Sequence, residues 1–197
     1  MHPGATDLRI GIVTGIAGGV PSFLQPGVRQ AVSVTDMIAR YGAWYDEQTG
    51  LPGRPFWDVV LAAESSRCSR WGRSGTVLLV SIAGLEDVIA QWGTEMLDRP
   101  MEDLARILRA GCRASDFVTR LDANQFGVLL TETDEIAAIN VVERLRAKAD
   151  RDVGARLSQG RVCFGWASPK GKTTLLESIG AAEALLAQEA AEAGSTG

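Results

Sequence analysis

The fold of this chain is decided by the stretch Arg120-Leu121-Asp122-Ala123-Asn124-Gln125-Phe126-Gly127-Val128-Leu129-Leu130. Two runs suited to strands, residues 117–121 and 125–131, flank the polar tripeptide Asp122-Ala123-Asn124. Asp and Asn tolerate the left-handed backbone conformation that a tight turn requires. The pattern therefore predicts a β-hairpin with the tripeptide at its tip.

Strands and helices alternate on both sides of this hairpin. Residues 76–82 are apolar and rich in β-branched side chains without alternation, which is typical of a strand buried on both faces, and residues 161–167 predict a further strand. Gly111 is expected to end the helix that precedes the hairpin. We expect one α/β (α+β) domain in which helices pack on a central sheet of about five strands. The predicted helices are residues 28–45, 56–71, 85–92, 98–110, 135–150 and 175–193.

Composition and charge exclude several classes of protein. The chain has 197 residues, which is enough for one domain with a sizeable core. Its net charge of −4 gives no reason to expect a nucleic acid polymer or an anionic membrane as a partner. The three cysteines, Cys68, Cys112 and Cys163, are widely spaced, and His2 is the only histidine. We therefore expect no metal site, no histidine acid–base chemistry and a reducing compartment.

An apolar, glycine-rich run occupies residues 10–20. This run is too short to span a bilayer, and its flanking residues do not match a signal peptide. We expect a cytoplasmic protein with no membrane span.

Two patterns resemble phosphate-binding loops but lack parts that such loops need. The run Ile12-Val13-Thr14-Gly15-Ile16-Ala17-Gly18-Gly19 resembles the glycine turn of a dinucleotide fold, yet Pro21 and Pro26 follow where a helix should begin. Gly171-Lys172-Thr173 ends like a P-loop, but Trp166 stands where the first glycine should be. We interpret the second pattern as a solvated loop that caps the last helix.

The segment before the second predicted helix carries a more specific pattern. Asp46-Glu47-Gln48-Thr49-Gly50-Leu51-Pro52-Gly53-Arg54 resembles the motif DxLTGLPNR of the GGDEF family, with Gln48 and Gly53 as departures. Further segments resemble that family in the same order and at the same spacing. They are the strand of residues 77–82, Trp92-Gly93, Asp98, the stretch 120–130 in place of RYGGDEF and its strand, Cys163-Phe164-Gly165-Trp166-Ala167 in place of SIGVA, and residues 181–189 in place of the closing helix ADxALYxAK.

The resemblance covers about 150 residues, the size of one domain. It implies the diguanylate cyclase fold, which is a nucleotidyl-cyclase-like, mainly antiparallel β-sheet flanked by helices with a β-hairpin at the signature turn. We expect a lead-in segment and helix at residues 1–45 and the GGDEF-like domain at residues 46–195.

The family's reaction joins two GTP molecules into cyclic di-GMP, with two divalent metals that bridge the phosphates. The resemblance places metal-binding carboxylates where this chain has Ala83, Asn124 and Gln125. A methyl group and two neutral amides bring no charge to offset two metals. We therefore expect no catalytic residues, no bound metal, no cofactor and no cyclase activity.

The substrate contacts that the resemblance implies are also changed. Asp122 and Ala123 replace two glycines that let the turn approach the nucleotide. Ile89 replaces a guanine-reading asparagine, and Ala90 replaces its acidic neighbour. Glu189 replaces a phosphate-binding lysine, which reverses the charge at that position.

A product-binding site of the family, the RxxD motif five residues before the signature, has matching residues in this chain. Arg113-Ala114-Ser115-Asp116 stands at that spacing, and Arg144 matches a further arginine on the next helix. Arginine can pair with the O6 and N7 edge of guanine, and a carboxylate can accept from guanine N1–H and the amino group. The resemblance thus implies a site for cyclic di-GMP, bound as a stacked pair, at Arg113, Asp116 and Arg144.

Three interpretations of function remain open at this point. The first is a noncatalytic cyclic di-GMP receptor, and the second is a pseudoenzyme that pairs with a second copy or an effector protein through the helix at 28–45 or the altered catalytic face. The third is GTP binding without turnover. Against the first, Arg113 and Asp116 can also form a surface ion pair worth under about 1 kcal/mol. Arg144 can likewise belong to a solvated helix face with Glu143 and Arg146.

Overall fold

The computed structural model of the chain describes residues 44–84, 89–90, 93–157 and 160–194. Most of the predicted helix at 28–45, the lead-in before it, and most of the predicted helix at 85–92 lie outside the described residues. Tyr45 is described, and it forms an isolated bridge with Pro52 rather than a helical turn. None of the described helices is long and apolar enough to cross a membrane.

The described elements match the predicted ones to within a few residues. They are α1 (Arg54–Trp71), β1 (Gly75–Ala83), a 3-10 helix (Thr94–Leu97), α2 (Asp98–Gly111), β2 (Phe117–Asp122), β3 (Gln125–Thr131), α3 (Glu135–Asp152), a 3-10 helix (Gly154–Arg156), β4 (Arg161–Ala167) and α4 (Ser178–Gly194).

The four strands form one sheet in the order β2-β3-β1-β4, and every neighbouring pair is antiparallel. This confirms the predicted α/β class with a mainly antiparallel sheet flanked by helices. The described residues contain four strands rather than the expected five. The strands that the sequence located, at residues 76–82, 117–121, 125–131 and 161–167, are all present, and the sequence located no fifth one. A 3-10 helix, Gly154–Arg156, precedes β4.

The sheet has an apolar core on each face. Leu78 and Val80 of β1 point to the core that includes side chains of α2 and α3, whereas Val77 and Leu79 point to the core that includes α1 and α4. Both sets are almost fully buried. A strand covered on both faces shows a continuous apolar run, which explains why β1 lacks alternation.

The predicted hairpin is present, but its turn differs from the expected one. Asp122 pairs with Gln125, which leaves Ala123 and Asn124 as the two turn residues, and neither has a positive φ. The expectation of a left-handed turn was therefore wrong. The register shifts between Arg120 and Asp122, so β2 holds an extra residue beside the turn. A β-bulge of this kind increases the local twist that a left-handed turn would otherwise supply.

Two glycines allow close approaches that larger residues would block. Gly111 is the last residue of α2, as predicted, and an extended Cys112 follows it. A Cβ at Gly111 would overlap the side chain of Leu145 on α3. A Cβ at Gly165 in β4 would overlap the backbone of α4 near Ala182, so α4 lies directly on β4.

Helix α4 begins at Ser178, three residues later than predicted. Thr174 and Glu177 form a reciprocal capping box ahead of it, since Glu177 Oε2 accepts from Thr174 N at 2.7 Å and Thr174 Oγ1 accepts from Glu177 N at 3.2 Å. The preceding loop contains Gly171 at φ 63° and an exposed Lys172. This agrees with a solvated loop before the last helix.

Candidate functional site

The end of β1 and the tip of the hairpin lie side by side. The register pairs Ser81 with Gln125, so Ala83 extends beyond the last paired residue of β3. Ser81 and Ala83 share one face of the strand because successive side chains alternate. We call Ser81, Ala83, Asn124 and Gln125 the hairpin face. It presents a hydroxyl group, a methyl group and two amides.

The donor groups at the hairpin face do not fit the two divalent cations that the resemblance implies. Such cations need hard, anionic oxygen ligands, and the hairpin face contains no carboxylate. Asp122 is exposed beside it, and its Oδ1 accepts from Ala123 N at 2.7 Å. Within the described ranges, no three His, Cys, Asp or Glu side chains lie together in a way that could hold a metal ion. Ile89, at the guanine-reading position, packs against the apolar core.

The side chain of Arg120 holds the tip of the hairpin in place, and no sequence pattern marked this residue as part of a site. Its side chain is buried, one Nη donates to Ala123 O, and its guanidinium lies 4.7 Å above the Phe126 ring. Burial lowers its pKa, while the charges of Asp46, Asp122 and Asp98 oppose that shift. Arg120 N also donates to Pro52 O at 2.8 Å. The arginine therefore joins the hairpin to the opening segment.

Glu189 occupies the position where the resemblance implies a phosphate-binding lysine, and both of its carboxylate oxygens accept hydrogen bonds from within the protein. Arg146 of α3 donates from Nη2 to Glu189 Oε2 at 2.9 Å and from Nη1 to Oε1. Phe164 N of β4 donates to the same Oε2 at 3.3 Å. The Arg146 guanidinium also lies 4.7 Å above the Phe164 ring. We call this arrangement of Arg146, Glu189 and the Phe164 amide the clasp.

The clasp shifts the ionisation of both of its charged members. Burial alone would raise the pKa of the Glu189 carboxyl, but the hydrogen bonds and charge of Arg146, with the Phe164 amide, bring that pKa below its ordinary value. The hydrogen bond with Glu189 raises the pKa of Arg146, although desolvation opposes it. Both groups are therefore charged in the folded protein, and Arg146 is not part of a solvated helix face.

The three predicted ligand-binding residues lie at one corner of the domain, which we call the RxxD corner. Arg113 and Asp116 belong to the loop between α2 and β2, and this loop is closed by a hydrogen bond from Asp116 N to Arg113 O at 3.0 Å. Arg144 of α3 reaches the same place, because its Nη2 donates to Gly111 O at 2.7 Å. Cys112 lies between them. Burial, with the nearby charge of Asp116, raises the pKa of the Cys112 thiol to about 12, although the charge of Arg144 opposes this shift.

The two ends of the motif have different roles in this corner. Both carboxylate oxygens of Asp116 are engaged, since Oδ2 accepts from Arg113 N at 2.8 Å and Oδ1 accepts from Thr131 N at 3.1 Å. The exposed Arg113 guanidinium makes no hydrogen bond or ion pair with the described part of the chain. The corner thus presents one available arginine beside a carboxylate that the backbone holds in place.

A cleft of about 310 Å³ opens beside the RxxD corner. Its chemistry suits a nucleotide base, because aromatic rings offer stacking surfaces and arginines offer donors. Arg109, in the last turn of α2, also lines the cleft, and no sequence pattern marked it. Arg109 Nη2 donates to Gly50 O at 3.1 Å. The lining includes Pro52, Phe56, Arg109, Arg113, Asp116 and Phe117.

Comparison with known proteins gives relatives in several bacteria. The chain is 29% identical over 100 residues to the protein named probable diguanylate cyclase DgcC of Escherichia coli K12, which covers 51% of this chain and 27% of that protein. It is 24% identical over 136 residues to the diguanylate cyclase DosC of the same strain, covering 64% and 30%. The chain thus spans less than a third of the length of these relatives. It is 32% identical over 108 residues to the diguanylate cyclase DgcP of Pseudomonas aeruginosa, covering 55% and 16%.

Solved structures with the same fold are GGDEF domains. The GGDEF domain of FimX from Pseudomonas aeruginosa matches with a TM-score of 0.68 at 19% identity, over 76% of this chain and 94% of that chain. Diguanylate cyclase SiaD of the same organism, solved with its activator SiaC, matches with a TM-score of 0.67 at 25% identity, over 81% and 63%. The sequence model described as diguanylate cyclase, GGDEF domain, matches residues 43–195. This chain therefore belongs to the GGDEF domain family.

Proposed function

We propose that this GGDEF domain is a noncatalytic receptor for cyclic di-GMP, which binds at Arg113, Asp116 and Arg144. The observation that carries the proposal is the RxxD corner itself. Residues 31 positions apart, from a loop and from α3, meet around Cys112, and the Arg113 guanidinium is exposed there with no partner among the described residues.

The geometry of the corner suits the recognition of guanine. An arginine fork matches the O6 and N7 edge, and a fixed carboxylate can accept from N1–H and the amino group through lone pairs that its backbone contacts leave over. The neighbouring rings of Phe56 and Phe117, with centroids 6.0 Å apart, offer an apolar surface for a second base. A stacked pair of cyclic di-GMP molecules presents several guanines, which is why a site with more than one arginine suits it.

The hairpin face supports the noncatalytic part of the proposal. Ala83, Asn124 and Gln125 supply no anionic ligand for the metals that the family's reaction uses. Glu189 would repel a triphosphate, and its carboxylate is already held by Arg146. Restoring any one of these positions would leave the others unsuited to substrate.

One solved structure with this fold contains the proposed ligand. The GGDEF domain of DgcB from Caulobacter crescentus was solved in complex with cyclic di-GMP and matches this chain with a TM-score of 0.65 at 17% identity, over 74% of this chain and 89% of that chain. At that identity the likeness supports the fold alone, so the proposal depends on the residues at the RxxD corner.

Calorimetric titration of the purified chain with cyclic di-GMP tests the proposal. We expect a dissociation constant of about 1 μM or lower, which is about −8 kcal/mol or more favourable. Arg113→Ala should weaken binding by about 2 kcal/mol, because a charge-assisted contact is lost and a guanine edge is left unpaired. Arg70→Ala, an exposed arginine at the end of α1, is the matched control and should bind like the unchanged protein.

The same titration separates the alternative functions. GTP should compete poorly, because it cannot present two guanines joined by one ring. Tight GTP binding that survives Arg113→Ala would instead support nucleotide binding without turnover. No heat and no change of melting temperature with cyclic di-GMP would exclude the receptor and favour a protein-interaction module.

A further inference from the structure

Arg109 is a second exposed arginine in the cleft beside the RxxD corner, which it lines together with Arg113. Within the described part of the chain its one hydrogen bond goes from Nη2 to Gly50 O at 3.1 Å, and it forms no ion pair there. A guanidinium group has five N–H donors. Most of the donors of Arg109 are therefore available to a ligand in the cleft.

The Gly50 carbonyl that accepts from Arg109 belongs to a closed turn. Gly50 N donates to Asp46 O at 2.8 Å, and Asp46 N donates to Leu51 O at 2.8 Å. Leu51 is 1% exposed and anchors this turn in the apolar core. Gly50 has a φ of 64°, a left-handed conformation that glycine adopts without strain. The turn thus supplies a fixed acceptor, which orients the Arg109 guanidinium at the cleft.

The charged residues that line the cleft carry a net positive charge, although the whole chain has a net charge of −4. They are Arg109, Arg113 and Asp116. Neither guanidinium forms an ion pair with a carboxylate among the described residues. The lining also includes apolar side chains such as Phe56 and Phe117, and an ion pair is stronger where such groups exclude water. The cleft therefore suits an anionic group.

The position of Asp116 distinguishes the two arginines. Asp116 is the one carboxylate among the described residues that line the cleft, and its Oδ2 accepts from Arg113 N at 2.8 Å. Arg113 thus has beside it the acceptor that guanine recognition also needs. Arg109 contacts a carbonyl of the turn instead. An arginine without a carboxylate partner pairs best with an anion, and the anionic groups of cyclic di-GMP are its phosphodiesters.

We propose that Arg109 is a further ligand-binding residue of the cyclic di-GMP site, where it pairs with a phosphodiester group while the Gly50 carbonyl positions it. This inference rests on the function proposed above and extends that site from Arg113 into the cleft. The cleft volume of about 310 Å³ is at the lower end of the range for small-molecule sites, so the cleft takes part of the ligand. Arg144 does not line the cleft, so Arg109 supplies a contact that Arg144 cannot.

Substitutions at Arg109 separate a phosphate contact from a purely structural contact with Gly50. The full chain is titrated with cyclic di-GMP by calorimetry. Arg109→Gln keeps an N–H donor for the Gly50 carbonyl but removes the charge, and it should weaken binding by about tenfold. Arg109→Lys keeps a cation that suits a phosphate, and its dissociation constant should stay within about threefold of that of the unchanged protein. Circular dichroism checks that both variants fold.

Two other arginines provide the contrast. Lysine lacks the planar fork that matches the guanine edge, so Arg113→Lys should lose about as much affinity as Arg113→Ala. Arg99→Gln removes the same charge from an exposed position in the first turn of α2, about 15 Å from Arg109 along the helix, and should bind like the unchanged protein. Added sodium chloride should weaken binding less steeply in Arg109→Gln than in the unchanged protein, because one ion pair is missing.

The outcomes separate this inference from the proposed function. Equal affinity of Arg109→Gln and the unchanged protein would overturn the role of Arg109 and leave the receptor in place. Equal losses in Arg109→Gln and Arg109→Lys, or the same salt dependence in Arg109→Gln and the unchanged protein, would overturn the phosphate contact. No binding of cyclic di-GMP to the unchanged protein would overturn both the receptor and this inference.

Discussion

Glu189→Lys is the most informative substitution for the role of the clasp, because it restores the residue type that the family resemblance implies. The lysine loses the charge-assisted contact with Arg146, whose two bonds contribute about 1.5–3 kcal/mol. It also brings a second cation close to the guanidinium. At a separation of about 4 Å and an effective dielectric constant of about 20, two like charges repel by about 4 kcal/mol.

Exposure to solvent reduces the destabilisation expected from these two effects. The Arg146 and Glu189 side chains are 24% and 17% exposed, so part of the repulsion is screened and the lysine can turn its ammonium group toward water. We therefore expect Glu189→Lys to lower the free energy of unfolding by about 3 kcal/mol. For a domain of this size that corresponds to about 10 °C in melting temperature.

Urea unfolding and thermal melts followed by circular dichroism measure the effect. Glu183→Lys makes the same charge reversal at an exposed position of α4 and should change stability by less than about 0.5 kcal/mol. Arg146→Gln should be destabilising in the unchanged protein and nearly neutral or stabilising in the Glu189→Lys background, since the repulsion is removed there. Equal costs of Arg146→Gln in both backgrounds would refute the clasp as an energetic unit.

Three further predictions concern catalysis, the RxxD corner and pH. The chain with GTP and Mg²⁺ or Mn²⁺ should form no cyclic di-GMP by chromatography, and Ala83→Asp should not restore activity because Glu189 still repels phosphate; turnover in either protein would contradict this. Asp116→Asn should lower the free energy of unfolding, measured in urea, by about 1–2 kcal/mol. The two carboxylate oxygens accept from two backbone amides, including Thr131 N, and an amide nitrogen in Asn must replace one of these acceptors. An unchanged urea midpoint would contradict this. The pKa of Glu189 is lower in the folded protein, so its ionised form stabilises the fold above the unfolded pKa of about 4.3, and this stabilisation is lost as pH falls through the folded pKa. Glu189→Gln should therefore flatten the decline of the free energy of unfolding below about pH 5. Parallel pH profiles of the two proteins would refute this.

Most helices and strands could be predicted from the sequence, because the patterns that mark them involve residues close together in the chain. The apolar run of β1 and the strand–turn–strand pattern at residues 117–131 each depend on neighbouring residues, and both elements are present. The turn type was wrong because the bulge between Arg120 and Asp122 is a property of the pairing between two strands. The expected fifth strand was a count without a residue range, and the described residues contain the four strands that the sequence located.

The sites were predictable only where a pattern of known spacing marked them. Arg113, Asp116 and Arg144 came from such spacing, and the structure brings them to one corner although their function is still a prediction. The clasp was not predictable, because Arg146 and Glu189 are 43 residues apart and each looks like an ordinary surface residue on its own helix. Only the packing of α3 and α4 on either side of β4 shows that they meet.

The position of Glu189 links catalysis to the stability of the sheet edge. A lysine there could serve a phosphate, but it could not accept the Phe164 amide or pair with Arg146, so the edge of β4 would lose its cover at that point. The carboxylate has the opposite effect, since it accepts from the Phe164 amide at the centre of the edge and pairs with Arg146. Reverting Glu189 alone would therefore weaken the domain without rebuilding the metal ligands at the hairpin face. In the function proposed here, stability and ligand binding reside at Glu189 and Arg113 respectively, and neither requires the chemistry of the cyclase.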